Sequence, residues 1–199
     1  MLNLRDAAKS TSRLLFEAVL IILSVAIGFA VSEWRERVAD RELAARVLRN
    51  VRAEVEYNLT QIEAQVARHQ QMIQAMAGAD VSNPSESGWD VMVRTLKSGP
   101  GALPLRRAAW DGAVSMGALR VIDYDMAARL SEIYVAQDAY GLTVANGPLL
   151  LYTPTLFDPA NRKVGSQIVR WLMVELEGNE RFVRDIYQRH LPALRAAAE

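Results

Sequence analysis

Residues 14–31, LLFEAVLIILSVAIGFAV, limit what this chain can become more than any other stretch. As a helix they reach about 27 Å at roughly 1.5 Å per residue, against a hydrocarbon core about 30 Å thick. Leu, Ile, Val and Phe fill most of the run. At about −0.3 to −0.6 kcal/mol each, these residues favour bilayer insertion by roughly 4 to 7 kcal/mol. The one charge, Glu17, stands a turn inside the boundary, where it costs less than the roughly 3 kcal/mol of mid-bilayer. Arg13 precedes it by four residues on the same helical face, within pairing reach. Residues 14–32 are therefore expected to form an uncleaved transmembrane anchor. Two other readings fit parts of the run. Residues 18–31 alone suit a signal-peptide core, with Gly28-Phe29-Ala30 near a cleavage site, and a buried helix of a soluble protein has a similar composition. Glu33, Trp34 and Arg35 continue a helix, which argues against cleavage.

Arg5, Lys9 and Arg13 precede the run, while Arg35, Arg37, Arg41 and Arg46 follow it among acidic residues. The leader, 1–13, is the net basic side, so the N-terminus is expected in the cytoplasm and the bulk of the chain outside. Within the run, Glu17, Ser24, Gly28 and Ser32 share one helical face. Small residues four apart let two helix backbones approach closely, which makes this face a candidate for helix association. The plainer reading leaves Glu17 interfacial, paired with Arg13, and the small residues unrelated.

Beyond the run the chain is polar enough to dissolve, and its 23 basic residues balance its 23 acidic ones. A neutral chain lacks the positive field that phosphate backbones need, so no nucleic-acid partner is expected. The absence of cysteine removes disulfides, thiolate metal sites and cysteine nucleophiles. No second apolar run is long enough to span. About 165 residues remain for one domain, enough to bury a core.

From Phe29 to Ala77 no glycine or proline interrupts the chain. Leu43, Val47, Val51, Val55, Leu59, Ile62, Val66, Ile73 and Met76 recur at helical steps, so 33–77 reads as a long amphipathic helix, either continuous with the anchor or broken near 35–40. Residues 78–199 read as the remainder of the same domain. Residues 78–88 form a turn-rich loop, and Ser85 or Ser87 can cap a short helix through Trp89, Val93 and Leu96. Ser98-Gly99-Pro100-Gly101 ends it. Pro104 suits a helix start, and the following helix carries Trp110, Val114 and Met116. Asp123 reads as the N-cap of a helix over 124–146, buried through Ala127, Leu130, Ile133, Tyr134, Gln137 and Tyr140, and stopped by Gly147-Pro148. Residues 149–157 form a loop or extended piece, with LLLY the only strand-like run. Asp158-Pro159 starts a helix ending at Gly178, with Trp171, Leu172, Val174 and Leu176 inside. Asn179 caps a last helix that buries Phe182, Val183, Ile186, Tyr187 and Leu191. Pro192 kinks or ends it, and 196–199 fray. The expected fold is all-α: an N-terminal transmembrane helix running into a long helix, followed by a bundle of about five further helices.

Two stretches together carry a resemblance. One is Phe16-Glu17-Ala18 leading into the apolar run, then Glu33-Trp34 and a helix with Leu48, Glu54 and Asn58. The other is Ala109-Trp110-Asp111, Gly117-Ala118-Leu119, Asp123-Tyr124 and Leu130-Ser131-Glu132-Ile133-Tyr134. They resemble an uncharacterised bacterial family of small, N-terminally anchored, single-pass helical membrane proteins. The resemblance implies a bacterial inner-membrane location and no particular activity.

Catalytic, cofactor and metal signals are absent at motif level. His69 and His190 lack a histidine or carboxylate at metal-binding helical spacing, so a structural role is expected of both. Asp123 and Asp125 are explained by capping. Glu54, Glu56 and Asn58 read as helix-surface residues. Asn58-Leu59-Thr60 matches a glycosylation sequon, without meaning in an ordinary bacterium. No serine sits in a nucleophile elbow and no glycine-rich phosphate loop occurs. Trp110, Trp171, Tyr134 and Tyr140 read as core, or as a docking surface if exposed. The expectation is a non-enzymatic accessory or structural subunit on the bilayer, self-associating or joining a larger inner-membrane complex. The alternative is a sensor-like bundle holding a small apolar molecule near Trp110, Tyr134 and Tyr140. An enzyme acting on lipid or envelope substrates comes third.

Overall fold

A computed structural model describes residues 4–97, 99 and 101–198, with side chains from Phe16 onward. The leader's side chains, including Arg13, and the residues Ser98, Pro100 and Glu199 lie outside the described residues. Six α-helices follow in order: α1 (Leu4–Ala77), α2 (Gly88–Leu96), α3 (Ala108–Ser115), α4 (Tyr124–Asn146), α5 (Pro154–Phe157) and α6 (Arg162–Ala197). Turns of 3-10 helix occupy Ala118–Val121, Gly147–Tyr152 and Pro159–Asn161, and the described residues contain no strand. The all-α expectation holds, and α1 passes residues 35–40 without a break. Two compact units divide between Ala44 and Ala45.

The first unit is the N-terminal part of α1. From Phe16 to Arg37 every residue is exposed, including Phe16, Ile21, Ile22 and Phe29. This is a helix long and apolar enough to cross a membrane, and none of its apolar window is buried. Glu33 and Arg37, one turn apart, pair at 2.5 Å.

The second unit is organised around three helices. Hydrogen bonds from α1 to α6 step in opposite directions along the two, Glu56 to Arg195, Glu63 to Gln188, His69 to Glu180 and Gln70 to Glu177, so the helices are antiparallel. Helix α4 is also antiparallel to α6, through Glu132–His190 and Gln137–Tyr187. Val47, Val51, Val55, Ile62, Val66 and Met76 are buried as the periodicity predicts, with Leu43, Leu59 and Ile73 partly so. A second apolar cluster gathers Met72 and Met76 of α1 with Val91, Met92, Leu151, Leu156, Val169 and Leu172.

Caps were legible. Ser87 caps α2 in a capping box with Asp90, and Asp123 accepts from the amides of Asp125 and Met126 at the head of α4. Gly147-Pro148 ends α4 in a 3-10 turn. Three element expectations need correction. Residues 149–157 are helical turns, with Leu151 and Leu156 buried and Leu149 and Tyr152 exposed. Helix α3 begins at Ala108, four residues after Pro104, because side chains of α1 and α4 take up backbone groups of Leu103 and Arg106, as described below.

The third correction concerns the C-terminal end. One helix, α6, replaces the two expected, and it runs through both Gly178 and Pro192 to Ala197 without fraying at Ala196. Its buried residues, Val169, Leu172, Met173, Leu176, Glu180, Val183, Tyr187, His190, Leu191 and Leu194, keep a three-four spacing across both breakers. Burial of such side chains contributes roughly 1.5–3 kcal/mol each, which outweighs the roughly 1 kcal/mol cost of an internal glycine. Keeping one helical phase also turns Trp171, Val174 and Phe182 outward, against the expectation that they are core.

Helix α2 crosses α6 where two glycines meet. A Cβ on Gly88 would stand 2.6 Å from the Cα of Gly165, on backbone that no rotamer can move. Gly88→Ala is expected to lower stability by about 1–3 kcal/mol, as overpacking does. Gly178 has no neighbour within 4 Å of its Cβ position, so Gly178→Ala should raise stability by about 1 kcal/mol in a continuous helix. Unfolding of dilute protein in detergent, followed by helical circular dichroism, checks both. A Gly178→Ala chain less stable than the native one would indicate a helix end there.

Candidate functional site: a polar seam inside the bundle

Four polar residues of α1, Glu54, Asn58, Gln65 and His69, interrupt its apolar stripe and are buried. Their spacing of four, seven and four keeps them on the face that meets α4 and α6. The sequence places Glu54 and Asn58 at the surface; the structure buries both. A buried polar group needs partners, and those of Glu54, Asn58 and His69 come from far along the chain.

Glu54 is answered on both oxygens. The Tyr134 hydroxyl donates to Oε1 at 2.6 Å, and the backbone N–H of Ala109 donates to Oε2 at 2.8 Å. Ala109 lies in the first turn of α3, a helix with no side-chain cap of its own. Glu54 thus supplies both the missing cap and a negative charge at the positive end of the helix dipole. One turn on, Asn58 pairs with the backbone of Arg106, donating from Nδ2 to its carbonyl at 2.7 Å and accepting its N–H at 2.9 Å. Gln137 donates to the same carbonyl at 2.8 Å and accepts the Tyr187 hydroxyl at 2.9 Å. Tyr140 donates to the carbonyl of Leu103 at 3.2 Å. These bonds satisfy the carbonyl of Leu103 and both backbone groups of Arg106 without helix. The Arg106 guanidinium also covers the Tyr57 ring at 3.4 Å, a cation–π contact.

Farther along α1, His69 Nδ1 and Glu180 Oε2 are 2.8 Å apart with both side chains fully buried. His69 Nε2, Glu180 Oε1 and Gln65 Oε1 have no hydrogen-bond partner among the described residues. His190 Nε2 meets Glu132 Oε2 at 2.8 Å near the other end of α6. Histidine–carboxylate pairs can move protons, yet a pair with no exposed surface touches no dissolved substrate in this conformation. Among the described residues, no three of His, Asp and Glu are grouped to hold a metal ion.

Two of the three aromatics proposed for a pocket are in contact with each other. Trp110, half-buried, stacks on Tyr134 with centroids 4.6 Å apart. Tyr134 is buried on Glu54. Tyr140, also buried, borders a groove of about 520 Å³ with Pro104, Leu105, Gln137 and Leu142. In the first unit, Glu17, Ser24, Gly28 and Ser32 are all exposed; the Ser24 hydroxyl donates to the Leu20 carbonyl at 2.7 Å, and the Gly28 Cβ position is open. The pairing of Glu17 with Arg13 lies outside the described residues. Asn58 of the sequon is fully buried, so its amide is out of reach of any modifying enzyme in the folded chain.

No family profile matches the chain, and no curated protein or solved structure is significantly similar to it.

Burial holds the hydroxyls of Tyr134, Tyr140 and Tyr187 protonated well above the usual tyrosine range, and the neighbouring Glu54 pushes Tyr134 in the same direction. An unfolded tyrosine gives up its proton near pH 10, whereas these three keep theirs. Unfolding therefore releases protons in alkali. Their stabilisation is complete below about pH 10 and is lost as pH climbs from there toward their folded values, at roughly 1.4 kcal/mol per pH unit for each. Denaturant midpoints should hold up to about pH 9.5 and drop steeply by about pH 11. Equal midpoints at the two pH values would contradict the burial of these hydroxyls.

Proposed function

We propose that this chain is a non-enzymatic, membrane-anchored helical module of a bacterial inner membrane, acting as a structural or accessory subunit. Residues 14–32 are its single-pass anchor, the leader 1–13 is cytoplasmic, and the helical body lies on the other side. The observation that carries this reading is the exposure of every residue from Phe16 to Arg37 on a helix whose apolar window has mean hydropathy 2.0. Water does not tolerate so large an uncovered apolar surface, and a bilayer covers it. The body supports the same reading, because Glu54, Asn58, Tyr134, Gln137 and Tyr187 bond to one another or to backbone inside the bundle.

The module self-associates or joins a larger membrane complex. Glu17, Ser24, Gly28 and Ser32 form the face on which a second helix can approach, with an open Cβ position at Gly28. The other reading, a sensor-like bundle for a small apolar molecule, is favoured by the groove beside Tyr140, Pro104 and Leu105.

Membrane fractionation after cell breakage tests the anchor. The chain should stay in the pellet through an alkaline carbonate wash and leave it only with detergent. Recovery in the detergent-free supernatant would end the proposal. Gly28→Ile should abolish crosslinked oligomers formed through the anchor; oligomers that persist unchanged would make the small-residue face irrelevant.

A further inference from the structure

We draw no further inference here: the strongest candidate, the exposed apolar face of α6 at Trp171, Val174 and Phe182 with the groove that Trp171 and Glu175 line beside Leu142, Thr143 and Asn146 of α4, carries nothing because no feature of the described residues shows what covers it.

Discussion

A carboxylate buried at position 54 has to be answered on both oxygens, and answering it fixes three parts of the chain at once. Oε1 takes the hydroxyl of Tyr134 and so sets the height of α4 against α1. Oε2 takes the amide of Ala109 and so sets where α3 begins. One turn later Asn58 holds the segment before α3 by its backbone, and Gln137 and Tyr187 extend the same network to α6. Apolar contacts are non-directional and would tolerate small slips of one helix along another. Hydrogen bonds at 2.6 to 2.9 Å would not, because each slip leaves a buried group unpaired at about 1–3 kcal/mol. The apolar stripe supplies most of the stabilisation, and the polar seam selects one register from those the stripe allows.

The second constraint is the uninterrupted phase of α6. Because the helix does not restart at Gly178, residues on either side of it stay in one rotational frame. The frame that buries Val169, Leu172, Leu176, Val183 and Tyr187 is the frame that exposes Trp171, Val174 and Phe182. Outward aromatics are therefore a consequence of core packing and helix continuity together. The same continuity brings Glu180 opposite His69, and it places an exposed glycine in the middle of an apolar face.

Signals carried by neighbouring residues are legible in the sequence. The caps at Ser87 and Asp123, the stop at Gly147-Pro148, the periodicity of Val47 to Met76 and the apolar run over 14–31 each depend on residues close in sequence. Features that depend on residues far apart are not legible there. Glu54 and Asn58 look like surface residues because their partners lie 55 and 48 positions away. Pro104 looks like a helix start because nothing nearby shows that Asn58, Gln137 and Tyr140 will bind the backbone on either side of it. Gly178 and Pro192 look like helix ends because their local preferences are unfavourable; tertiary burial along the whole of α6 outweighs them. A buried-polar pattern at 54, 58, 65 and 69, with its four- and seven-residue spacing inside an apolar stripe, was the one local sign of the seam.

The most direct measurement of this account is a double-mutant cycle on Glu54→Leu and Tyr134→Phe, read from denaturant unfolding of the full chain in detergent. A register-setting bond between a charged and a neutral group predicts a coupling energy of about 1.5–3 kcal/mol, with the double variant more stable than the sum of the two losses implies. Strictly additive losses would mean that the two side chains do not act on each other, and that packing alone sets the register of the bundle.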